Sequence, residues 1–202
     1  MAHDGLWDQL DIPDRIETES RSKSRYLINP ERFIVVMLNT EYVVDLSKRQ
    51  IYSTGTDSAQ KQATYLEQLC LLAYLINAGD LPPADELTNA ESLPGGQFFF
   101  RGLHSLPTDK LKHTFGKHPE MLYKVSNQFK AHRCKFGDAS IRLDILPRLP
   151  LTIIIWSQCE EFDARSSILF DKIAASQLPL DALLVAVNLA VDALIKATTD
   201  HS

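Results

Sequence analysis

The side chains of this sequence that could do chemistry stand mostly alone. "LPGGQFFFRGLH" sets Arg101 and His104 directly after three phenylalanines, and "LPRLPLTIIIW" holds Arg148 between Pro147 and Pro150. "SQCEEFD" gathers Glu160, Glu161 and Asp163 behind Cys159. Two guanidiniums beside an imidazole or a carboxylate suit an anionic ligand, with the arginines as anchors and His104 or Glu161 moving a proton. Each proline fixes its own φ and pushes the residue before it toward extended backbone, so Arg148 sits on a stiff corner. That stiffness either aims the guanidinium at an anion or merely caps an exposed turn. The anion would be an external ligand or an internal carboxylate such as Asp163 or Asp171.

Familiar catalytic signatures are missing. "LPGGQ" lacks the lysine and spacing of a phosphate-binding loop, and there is no GxSxG elbow or HExxH helix. His104, His113 and His118 match no zinc spacing, and His132 with Cys134 has no second pair. No zinc or cluster is therefore expected on this chain's own residues. A Cys159 thiolate is disfavoured by the neighbouring glutamates. The acids that follow read as a solvated strand end leading into a helix start, where they favour the macrodipole. Read as a strand, Phe98–Phe100 puts Phe99 opposite its neighbours, either packing both faces of a sheet or turning one ring toward a cleft. Phe99, Arg101, His104, Arg148 and Glu161 are thus the ligand-binding candidates, on a surface built by residues 94–104 and 146–163.

The elements that must position them follow from periodicity. Leu6, Trp7 and Leu10 recur at helical spacing. "RFIVVML", "EYVVDL" and "QIYS" read as strands broken at Asn39 and "SKR", with Gly55 and Asp57 ending the block. A helix is expected over residues 58–80, with Leu66, Leu69, Cys70, Ala73 and Ile76 as its apolar stripe and Gly79 as its stop. Cys70 reads as a small core residue. A connection over 79–107 leads to helices near 108–115 and 119–131. "GDASIRLDILPRLPLTIIIW" reads as two strands with a corner, the second covered on both faces and ending in a core Trp156. "PLDALLVAVNLAVDALIKA" closes the chain as an amphipathic helix opened by Pro179.

Strands in pairs without βαβ alternation predict an α+β fold: a mostly antiparallel sheet of paired strands packed by helices, with a C-terminal amphipathic helix. One domain over 1–202 is expected, in parts 1–58, 59–131 and 132–202.

Composition narrows the function. A formal charge of −5 leaves no basic field for phosphate backbones, so nucleic acid is not an expected partner. The short cluster of Arg21, Lys23 and Arg25, just after Glu17 and Glu19, reads as a solvated segment. "LTIIIW" falls far short of the ~20 apolar residues of a membrane helix. Three dispersed cysteines and an acidic start without an apolar core give no disulfide framework and no export signal, so the expected location is cytoplasmic.

Taken in order, "LPGGQFFFRGLH", "FGDASIRLDILPRLPLTIIIW", "CEEFDARSSILFD" and "LPLDALLVAVNLAVDALIK" resemble an uncharacterised prokaryotic family, domain of unknown function three-seven-eight-six. The likeness runs from about Leu6 to Lys196. It implies an anaerobe, and relatives that carry or lie beside a four-cysteine [4Fe–4S] domain similar to that of corrinoid iron–sulfur proteins. This chain lacks such a domain. The resemblance therefore implies an iron–sulfur or corrinoid protein as partner, and it brings no catalytic residues. The favoured reading is a non-hydrolytic binding or accessory protein. Its alternatives are an enzyme for a small anionic metabolite and a structural docking module.

Overall fold

The computed structural model describes residues 3–54 and 60–199. Gly55 and Asp57, expected to end the first strand block, lie outside the described residues. The chain opens with helices α1 (Asp4–Leu10) and α2 (Arg15–Ser22). Trp7 and Leu10 of α1 are buried as their spacing predicts. Asp14 starts α2 by accepting the main-chain N–H groups of Ile16 and Glu17.

Strands β1 (Arg25–Leu27), β2 (Arg32–Met37), β3 (Thr40–Asp45), β4 (Gln50–Thr54) and β5 (Gln60–Gln62) form an antiparallel meander, each beside its neighbour in sequence. On β2, Phe33, Val35 and Met37 are buried and alternate with residues turned outward. Leu38 and Asn39 both take positive φ, 49° and 61°, the pair of left-handed conformations that a tight hairpin needs to match strand twist.

Helix α3 (Tyr65–Asn77) is shorter than its sequence pattern predicts. Thr64 and Glu67 form a reciprocal capping box that sets its start, and Gln60–Gln62 instead completes the edge of the first sheet. The helix is not buried along one stripe. Leu66 is exposed, whereas every residue from Cys70 to Leu75 is buried, because α1, α2 and α7 (Leu180–Thr199) pack on its different sides.

The connection that follows holds strand β6 (Leu87–Thr88), a 3-10 turn (Ala90–Ser92), the single-turn helix α4 (Gly96–Phe99) and a second 3-10 turn (Gly102–His104). Helices α5 (Thr108–Phe115) and α6 (Glu120–Ser126) lead into β7 (His132–Arg133), β8 (Ala139–Leu146), β9 (Leu149–Trp156) and β10 (Arg165–Asp171). These strands form the second antiparallel sheet, in the order β6-β10-β9-β8-β7. Among the described residues the fold is α+β with two five-stranded antiparallel sheets rather than one.

Three sequence expectations are corrected in this half. "ARSSILFD" is a strand, not a helix start: Ile168 and Phe170 alternate inward, and pairing with β9 satisfies its backbone. The Phe98–Phe100 stretch is a helical turn and the start of a bend, so strand alternation does not apply. Trp156 stands half-exposed on the outer face of β9, with the Arg165 guanidinium carbon 5.5 Å from its ring centre.

Helix α7 binds the parts together. Leu183, Val187, Ala190, Val191 and Leu194 are buried, and the helix packs against α3, α5, α6 and β8. The two sheets touch where the Leu38 N–H donates to the Ile145 carbonyl at 3.0 Å, beside an irregularity in the β8 register.

Candidate functional site

The 94–104 loop is built on two glycines. Gly95 has φ +76°, and a Cβ on Gly96 would lie 1.9 Å from the Ala90 carbonyl oxygen. Close approach lets the Gly96 N–H donate to Leu93 at 2.7 Å and start α4. Phe100 then drops into the core and meets Phe170, ring centres 6.2 Å apart. With that anchor fixed, Phe98 and residues 101–104 face outward, while Phe99 packs partly against the core. The Phe99 ring stacks on His104, centres 4.6 Å apart and planes within 6°. The Arg101 guanidinium carbon lies 6.0 Å from the Phe98 ring centre. Phe98 is 75% exposed and Leu103 100% exposed. Cation, imidazole, aromatic ring and aliphatic tip thus share one loop anchored at Gly96 and Phe100, an arrangement suited to recognition.

Arg148 lies elsewhere. With Pro147 it forms the turn between β8 and β9, and its side chain runs inward. Its guanidinium Nη2 donates to Asp80 at 2.5 Å and to the Ser20 carbonyl at 3.5 Å. Its main-chain N–H donates to the Tyr74 hydroxyl at 3.1 Å, and that hydroxyl donates to the Ser22 carbonyl at 3.0 Å. Burial pushes the Tyr74 hydroxyl well above the usual phenol range. The carboxylate that meets Arg148 is Asp80, neither Asp163 nor Asp171. Glu161 stands exposed on the 157–164 loop, with no side-chain bond among the described residues. The structure therefore brings Phe99, Arg101 and His104 together, and sets Arg148 and Glu161 in two other places.

Several organising residues escape a reading of the sequence. Arg21 is not solvated: it donates to the Leu75 and Ala78 carbonyls at 2.6 and 2.8 Å, capping the end of α3. Burial holds its pKa below the ordinary arginine value. Asp171, only 2% exposed, accepts the N–H groups of Ala84, Asp85 and Ile173 and so pins the start of the long connection. An acid ending an inward-alternating strand was the signal available for it. Tyr74 and Asp80 carry no such signal.

Beside the loop, where α5 meets β10, lies a cleft of about 250 Å³. Asn89, Ser105, Thr108, Ser166 and Ser167 give it a polar lining, Phe100 closes one wall, and among the described residues Glu91 is the one charged group that lines it. Among the described residues no three His, Cys, Asp or Glu side chains cluster as a metal-ligand set. A family model described as Domain of unknown function (DUF3786) matches residues 17–193. No curated protein and no solved structure matches the chain.

Proposed function

The chain belongs to the family of unknown function DUF3786, and on that premise we propose that it is a binding or accessory protein that docks on another protein through residues 98–104. The observation that carries this reading is the exposure of Phe98 and Leu103, 75% and 100%, on a loop whose backbone is fixed beneath them by Gly96 and Phe100. Large apolar side chains presented to solvent on an anchored loop, with an arginine between them, are the composition of an interface hot spot. Phe99 and His104 form the stacked floor of that surface. An anion-processing enzyme would need Arg101 and Arg148 in one cleft, and the Arg148 guanidinium is taken up by Asp80 and Ser20.

The partner we propose is an iron–sulfur or corrinoid redox protein of an anaerobe, met in the cytoplasm. The support is the family resemblance, together with a chain whose cysteines Cys70, Cys134 and Cys159 are dispersed. Such a cluster would belong to the partner. Tagged protein captured anaerobically from its own host tests this, with the Phe98→Ser, Leu103→Ser double variant as comparison. We expect a co-purifying protein that carries iron or cobalt and is lost from the variant. Identical proteins captured by parent and variant would remove the docking loop, while a metal-free partner would remove only its redox identity.

A further inference from the structure

The cleft beside the docking loop has an unusual wall: the open edge of a strand. Along β10 the hydrogen-bonding direction alternates from residue to residue. Lys172 donates to the Glu86 carbonyl at 3.0 Å, and Phe170 stands opposite Thr88 in the same ladder. Continuing the alternation, Ile168 and Ser166 also turn their N–H and C=O groups toward the β6 side. The register would place Ala90 and Ser92 against them.

Those residues are not there to bond. At Asn89 the chain leaves the sheet, because the Asn89 side chain and carbonyl both accept the Ser92 N–H, at 2.9 and 3.2 Å, and close the 3-10 turn. Strand β6 ends, and no other described segment supplies main-chain partners to Ser166 or Ile168 on that side. Ile168 is only 3% exposed, so its peptide groups are sheltered as well as unpaired. Sheltered backbone groups need a partner from water or from a ligand. The space in front of them is the 250 Å³ cleft.

We infer that this cleft binds an extended segment of another polypeptide, which adds to β10 as a strand at Ser166 and Ile168. A chain bonding to both must run about 7 Å between its first and third residues, at the rise of a strand. The polar lining and narrow volume call for small side chains, Gly, Ala, Ser or Thr, at the ladder positions. Glu91, which has no ion-pair partner among the described residues, calls for a lysine or arginine at the mouth. The inference shares with the docking reading only the idea that the ligand is a protein, because main-chain groups of β10 carry it rather than Phe98 and Leu103.

The test uses the full chain and an array of short capped peptides with small residues at the centre and Lys, Arg, Gln or Glu beside them. Two variants divide the readings. Ser166→Pro removes the outward N–H while leaving the β9 ladder intact, and Ser166→Ala removes only the hydroxyl that bonds Thr108. Small-residue peptides bearing Lys or Arg should bind the parent and Ser166→Ala alike, and Ser166→Pro about tenfold more weakly, the worth of one main-chain hydrogen bond. Glu91→Gln should abolish the preference for Lys and Arg. Peptides that bind Ser166→Pro as well as the parent, or no peptide binding at all, would overturn the inference. So would a dimer of the parent, seen by sedimentation and lost in Ser166→Pro, since the edge would then belong to a second copy of this chain. Peptide binding should survive Phe98→Ser with Leu103→Ser and fail in Ser166→Pro, so this inference stands or falls apart from the docking loop, which the capture comparison tests.

Discussion

The Arg148 guanidinium is sealed inside the protein while the carboxylate it meets, Asp80, stands in solvent: the side chains are 5% and 67% exposed at a separation of 2.5 Å. The pair is therefore unequal. Removing the arginine leaves a hydrated carboxylate, which costs little. Removing the aspartate leaves a buried cation short of its only acidic partner among the described residues, with Nε already lacking an acceptor.

Asp80→Ala should accordingly destabilise by about 1–3 kcal/mol, the range for stranding a buried polar group, reduced by the solvent around Asp80. Arg148→Met, which fills the channel with an apolar stem, should cost less than about 1 kcal/mol. The double variant should resemble Arg148→Met alone. Urea midpoints in the reverse order would show that Asp80 does not compensate the buried charge.

Asp171 holds the long connection by three main-chain donors. In Asp171→Asn the amide nitrogen must face at least one of those N–H groups, a loss of about 2 kcal/mol. The freed backbone should also be cut first. Limited proteolysis should cleave the variant near residues 84–88 at protease levels that leave the parent whole. An unchanged cleavage map would show that Lys172 and Glu86 hold the segment instead.

The turn under the docking loop should reject any side chain at Gly96, where the Ala90 carbonyl leaves no room. Gly96→Ala should cost about 1–3 kcal/mol as an overpacking change. Gly95→Ala has space but keeps φ at +76°, so it should cost about 1–2 kcal/mol through backbone strain. Thermal melts that put Gly96→Ala level with the parent would mean that the 3-10 turn at Ala90 yields freely.

Glu67 supplies a pH dependence. Burial favours its neutral form, but the Tyr42 hydroxyl at 2.6 Å and the Thr64 N–H and hydroxyl outweigh that and hold its pKa below the usual value. A carboxyl depressed in the folded state contributes stability that is present above its unfolded pKa of about 4.3 and lost as pH falls through the folded value. The parent's melting temperature should therefore fall more steeply below about pH 4.3 than that of Glu67→Gln, which has nothing to protonate. Parallel acid limbs in the two proteins would assign the loss to other carboxylates.

Much of this fold is legible in the sequence. The inward alternation of Phe33, Val35 and Met37, the covered run of β9 and the stripe of α7 are local properties of a single stretch, because side-chain period follows backbone geometry. So is the stiffness of Arg148, set by Pro147 and Pro150. What lay beyond the sequence was every relation between distant stretches. Asp80 reaches Arg148 across 68 positions, and Arg21 reaches α3 across more than fifty. The open edge of β10 exists only because Asn89 draws β6 away from it. Periodicity and φ restriction act within one element and can be read from it. The choice of partner for a buried charge, or of which strand edge stays uncovered, is made by how the elements pack, and only the tertiary structure decided it.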